Sequence, residues 1–172
     1  MKKSLITALA ATLLAAAAPA IAADLTVKVT VPQLNVAEYH RPYVAVWLES
    51  DAGKATTLAV WYDTAMKNNE GTKWLKDLRQ WWRKSGRELT VPIDGVTGAT
   101  KPAGEHTLVF SGRQAPLAGL PAGQYRLVVE AAREVGGREV VQIPFTWPPK
   151  KAEKSSAAGK EELGALILEL KP

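Results

Sequence analysis

Tyr43-Val44-Ala45-Val46-Trp47-Leu48-Glu49, then Asp51-Ala52-Gly53-Lys54, then Thr56-Thr57-Leu58-Ala59-Val60-Trp61-Tyr62 decide the fold class. Two apolar runs of strand length, rich in β-branched and aromatic residues, are joined by turn-forming residues, the pattern of a β-hairpin. The first run is almost continuously apolar and is expected to lie centrally in a sheet. In the second, Leu58, Val60 and Tyr62 are expected on one face, with Ala59 and Trp61 on the other.

The same grammar continues on both sides. Upstream, Leu25, Val27, Val29 and Val31 alternate with Thr26, Lys28 and Thr30, predicting a strand with one buried face. Downstream, Pro102-Ala103-Gly104 and Pro121-Ala122-Gly123 each open an apolar run, a repeated turn-then-strand phrase. The second run extends to Arg133, turns at Gly136-Gly137 and returns over Glu139 to Thr146. Leu89 to Ile93 is expected as a short strand and Leu163 to Leu170 as the closing one, while 148–160, rich in Lys, Ser and Ala, is expected to be a flexible loop. One stretch changes period: Trp74, Leu75, Leu78, Trp81 and Trp82 fall on one helical face. They predict an α-helix near 72–85, capped by Thr72, stopped at Gly86 and lying on a sheet. About seven strands with one inserted helix predict an all-β fold, an antiparallel β-sandwich of immunoglobulin-like or transthyretin-like kind, as a single domain over 23–172.

Residues 1–22 have the pattern of a signal peptide: Lys2 and Lys3, an apolar run, Pro19, then the small-x-small site Ala20-Ile21-Ala22. A periplasmic location is expected. The 172-residue chain has no cysteine, which excludes disulfides, thiol catalysis and thiolate metal sites. Without Lys2 and Lys3 its basic excess falls from +5 to +3 and is scattered, so nucleic acid is not an expected partner. No hydrolase elbow, zinc-protease helix or glycine-rich nucleotide loop occurs. His40 and His106 are expected as edge or surface residues; a hydrolytic or metal site would require the two to converge.

The stretch Asp94-Gly95-Val96-Thr97-Gly98-Ala99-Thr100, followed by Lys101-Pro102, is expected as a tight irregular loop. It resembles Asp-x-x-(Ser/Thr)-Gly-Ala-(Thr/Ser), the acceptor motif of extracytoplasmic FMN transferases of the ApbE type. The resemblance implies FMN attached to Thr100 through a phosphoester. Gly98 and Ala99 would then give the transferase access, Asp94 and Thr97 would hold or present the loop, and Lys101 would offset the phosphate charge. Trp81 and Trp82 are candidates for stacking on the ring, because adjacent helix positions point about 100° apart.

His40 to Trp47, Thr57 to Trp61, Lys73 to Trp82, Asp94 to Thr100, Gly123-Gln124-Tyr125 and Glu130 to Glu134 occur in that order. The series resembles the DUF2271 family of bacterial periplasmic proteins, over about Leu25 to Leu170. Its association with FMN transferases and PepSY-type membrane proteins implies extracytoplasmic electron transfer, with those two classes as partners. The competing expectation is a cofactor-free β-sandwich that binds a protein or glycan through exposed aromatics. The chain has six tryptophans against two phenylalanines.

Overall fold

In β1 (Asp24–Val31) every second side chain, from Leu25 to Val31, is buried, as its alternation requires. The computed structural model describes residues 23–172, and the expected signal peptide, 1–22, lies outside them. β1 is central in a four-stranded sheet of order β5-β1-β9-β8, with β5 at Gly104–Ser111, β8 at Glu153–Ala158 and β9 at Ala165–Lys171. The hairpin of β2 (Tyr43–Ser50) and β3 (Ala55–Tyr62) belongs to a second sheet. Its order is β4-β3-β2-β6-β7, with β4 at Thr97–Ala99, β6 at Gly123–Ala132 and β7 at Arg138–Trp147. The hairpin closes with Gly53 at φ 79°, where glycine avoids the Cβ clash. The expected all-β sandwich is the observed architecture, with both Pro-x-Gly phrases opening strands, one in each sheet.

The second sheet is covered on both sides, which accounts for the continuous apolarity of β2. Val44, Val46 and Leu48 pack into the sandwich core with Leu25, Val27 and Leu168. Ala45 and Trp47 face away and pack under Leu75, Leu78 and Trp81. A bulge opposite Val46 and Trp47 leaves Leu58 without a register partner, so Leu58 joins Ala59 and Trp61 in the sandwich core. Val60 and Tyr62 face the helical cover, so the expected grouping of Leu58 with them is corrected.

Five other expectations are corrected. The helix near 72–85 is a 3-10 segment (Lys67–Asp77) followed by a six-residue α1 (Arg79–Lys84), broken at Leu78 (φ −74°, ψ 70°). Thr72 does not cap it; its hydroxyl donates to the Asn69 carbonyl. Leu89 to Ile93 forms no strand, and 148–160 is not a continuous loop, since it contains β8. The Asp94 stretch contains β4, which runs parallel to β3 and makes the second sheet mixed.

Buried charges tie the layers. Glu130, fully buried on β6, accepts the backbone N–H groups of Gln80 and Trp81 at the start of α1 and pairs with Arg138 at 2.7 Å. Glu162 pairs with Arg133 through two hydrogen bonds of 2.9 and 3.0 Å, both side chains being almost wholly buried. Burial of Trp81 alone is worth roughly 4–6 kcal/mol at the usual area coefficient.

Candidate functional site

β4 is built by backbone hydrogen bonds on both sides of a short turn. The Thr97 N–H donates to the Ile93 carbonyl and the Thr97 hydroxyl accepts the Ile93 N–H, each at 2.8 Å, while Gly95 takes φ 71°. Val60 N–H then donates to Val96 O at 2.9 Å and Thr100 N–H to Tyr62 O at 3.1 Å. Thr100 is therefore anchored through its backbone at the end of an edge strand, half-buried. Thr97 holds the turn; the exposed Asp94 carboxylate makes no hydrogen bond to a described residue.

Trp61 organises the surroundings of the motif. A Cβ added at Gly98 would lie 3.2 Å from its Cδ1, so this position admits little bulk. Ala99 is exposed. The Lys101 ammonium sits 5.6 Å from the Trp61 ring centroid, within cation–π range. His106 meets the same tryptophan edge-on at 5.7 Å, and its Nε2 is 2.8 Å from the Pro102 carbonyl oxygen.

Thr100 also lines a cavity of about 710 Å³. Its walls come from distant segments: Tyr39 to Arg41 and Tyr43 at the entrance to β2, Asp63 and Met66 after β3, Trp74, Asp77 and Arg79 of the helical cover, and the β6–β7 turn from Ala132 to Arg138. The Tyr43 hydroxyl donates to Gly71 O at 3.1 Å, and burial raises its pKa above the ordinary value. His40 lies 3.6 Å from Glu134 through Nδ1 and 3.0 Å from Glu38 through Nε2, the latter outside hydrogen-bonding alignment. The Tyr39 hydroxyl is buried with no hydrogen-bond partner among the described residues. The cavity's volume is in the range of ligand pockets, and Tyr39, Tyr43 and Trp74 give it aromatic walls.

The two candidate stacking residues do not line this cavity. Trp81 is fully buried, with its indole N–H donating to Thr57 Oγ1 at 3.0 Å. Trp82 packs partly buried beside it, ring centroids 6.3 Å apart. Trp74, expected on the buried helical face, is instead 49% exposed and stands on the cavity wall. It lies within the 3-10 segment, next to buried Leu75.

The family described as "Predicted periplasmic protein (DUF2271)" matches residues 24–165. The chain belongs to this family. No curated protein and no solved structure matches it. Within DUF2271 the matched region takes in β1 to β8, the cavity and the whole Asp94–Thr100 stretch. Among the described residues no helix is long and apolar enough to cross a membrane.

His40 and His106 have different surroundings: His40 lines the cavity, whereas His106 packs on Trp61. No cluster of three or more potential metal ligands of the His, Cys, Asp or Glu type occurs among the described residues. Tyr39, Met66, Trp74 and Val135 line the cavity without belonging to the acceptor motif of the sequence. For Tyr39 the sequence does offer a signal, the aromatic and basic run Tyr39-His40-Arg41 just before a strand. For Met66 and Val135 it offers none.

Proposed function

We propose that this DUF2271 protein is a periplasmic electron carrier with FMN linked covalently to Thr100, working with a PepSY-type membrane redox partner. The observation that carries the reading is the position of Thr100. Its backbone is fixed to Tyr62 at the end of an edge strand, next to exposed Ala99, and the residue lines the large cavity. A transferase can approach such an edge without unfolding the sheet.

In the attachment step the Thr100 hydroxyl oxygen attacks the FMN-side phosphorus of the FAD diphosphate. The Oγ–P bond forms, the P–O bond to AMP breaks, AMP departs, and the hydroxyl proton passes to a base of the transferase. Thr97 holds the turn that presents the hydroxyl, through its contacts with Ile93. Gly98 lets the strand lie against Trp61. Lys101, placed over Trp61, keeps a positive charge beside the linkage. When bound, the flavin would supply the one- or two-electron chemistry; the protein supplies anchoring, packing and a controlled dielectric.

The competing cofactor-free reading needs a surface of aromatics. Trp47, Trp61, Trp81 and Trp147 are buried and Trp82 is partly so, which leaves Trp74. Co-expression of the exported protein with an FMN transferase tests the proposal. The expected result is in-gel flavin fluorescence and a mass increase of FMN less water, both lost in Thr100→Ala. Absence of both from the wild type, or their persistence in Thr100→Ala, overturns it.

A further inference from the structure

Resting on Thr100 as the anchor, we infer that the adjoining cavity is the seat of the isoalloxazine ring, with Trp74 against its face. The large apolar side chains left exposed among the described residues are Val36, Met66, Trp74, Val109 and Val135, and three of them line this one cavity. Met66, Trp74 and Val135 come from separate segments, so their convergence belongs to the fold and not to a local run of sequence. Isolated exposed apolar residues are ordinary; several gathered around a concave site mark a binding surface.

The backbone is strained where it supplies this lip. Val135 holds φ 52°, although a β-branched residue in the left-handed region is a steric outlier. Such strain persists where surrounding structure enforces it and gathers at functional sites.

The wall charges select the ligand class. Arg133 is engaged by Glu162 and Arg138 by Glu130, both buried carboxylates behind the wall. Of the remaining charged wall residues, Arg41 and Arg79 stand against Asp63, Asp77 and Glu134. That balance gives no excess of positive charge for a polyphosphate or free nucleotide. It suits a neutral, planar heteroaromatic ring whose charged phosphate lies at the tether.

The test uses the exported protein co-expressed with an FMN transferase as wild type, Trp74→Ala, Trp82→Ala and Thr100→Ala. Intact mass gives flavin occupancy, and circular dichroism confirms folding. Flavin fluorescence is then compared at matched flavin content before and after denaturation. The wild type is expected to be quenched several-fold relative to the denatured sample. Trp74→Ala should recover most of that yield, and Trp82→Ala should match the wild type. Flavin mass with equal yield in wild type and Trp74→Ala overturns the seat and leaves the anchor standing. Recovery in Trp82→Ala in place of Trp74→Ala also overturns the seat. No flavin mass on the wild type overturns anchor and seat together.

Discussion

Glu130 Oε2 lies 2.8 Å from the backbone nitrogen of Trp81, joining a buried carboxylate on β6 to the first turn of α1 across 49 residues of sequence. The same carboxylate takes the Gln80 N–H and the Arg138 guanidinium. Amide groups at a helix start otherwise have no partner inside the helix. Their capture restarts the helix after the break at Leu78 and clamps Trp81 onto Trp47 and Val60. It also fixes the end of the cover that carries Arg79 into the cavity wall.

Glu130→Ala should therefore destabilise the protein by about 3–5 kcal/mol, the usual cost of removing one partner from a buried charge network. Glu130→Gln, which keeps one acceptor oxygen, should cost less. Urea unfolding followed by tryptophan fluorescence measures both. A loss below about 1 kcal/mol in Glu130→Ala would mean that the network contributes no net stability.

Acid should weaken the protein through Glu139 and Glu49. Burial alone would raise the Glu139 carboxyl pKa, but four backbone N–H groups from Lys160 to Leu163 outweigh it and hold the pKa below its ordinary value of 4.5. Glu49 follows the same pattern: burial raises it, and hydrogen bonds from Lys84, Trp47 and Arg126, with the Lys84 charge, bring it down. A folded pKa below the unfolded one gives stability that is complete above the unfolded value and is lost as pH falls through the folded value. Stability should be level from pH 7 to about 5, then fall below about 4.5. Glu139→Gln should cost about 1.5–3 kcal/mol at pH 7 and flatten the acid limb. Urea midpoints at pH 7, 5, 4 and 3 for both proteins check this.

β1 and β2 are legible because their burial obeys a local rule: alternation where one face is covered, continuity where both are. β8 is not legible. Glu-Lys-Ser-Ser-Ala-Ala has no large apolar face, and its pairing with β9 at the sheet edge follows from the fold around it. The helical cover was half legible. Leu75, Leu78 and Trp81 are buried as their spacing predicts, but Trp74 is exposed, and the helix restarts after Leu78 on a carboxylate from β6 that no local pattern reveals. The acceptor stretch could be found as a motif. Its identity as a parallel strand could not, because Val60 and Tyr62 supply the pairing. The cavity was hidden for the same reason: Tyr39, Met66, Trp74, Thr100 and Val135 meet only in three dimensions.

Gly98 and Ala99 should separate packing from access. A Cβ at Gly98 would press on Trp61, which is 3% exposed and wedged in the core. Gly98→Val should thus cost about 1–3 kcal/mol by overpacking. Ala99 is exposed, so Ala99→Leu should leave stability within about 0.5 kcal/mol. On the proposed function Ala99→Leu should nevertheless lower flavin incorporation, because its bulk stands beside the Thr100 hydroxyl. Thermal melts paired with intact mass after co-expression measure both. Full incorporation in a folded Ala99→Leu protein would remove the access role assigned to Ala99.

Val135→Asn should stabilise the protein. At φ 52° the valine pays a steric penalty that asparagine largely avoids in the left-handed region. The side chain is 79% exposed, so little buried apolar contact is given up in exchange. The expected gain is about 1 kcal/mol, read as a rise in urea midpoint without a change in slope. Val135→Gly should gain less, because glycine also adds freedom to the unfolded chain. If Val135 forms part of the ring seat, the flavinylated Val135→Asn protein should be more stable and also less quenched than the wild type. A gain in stability with unchanged quenching would make the strain a property of the turn alone; no gain would show that the turn carries no strain.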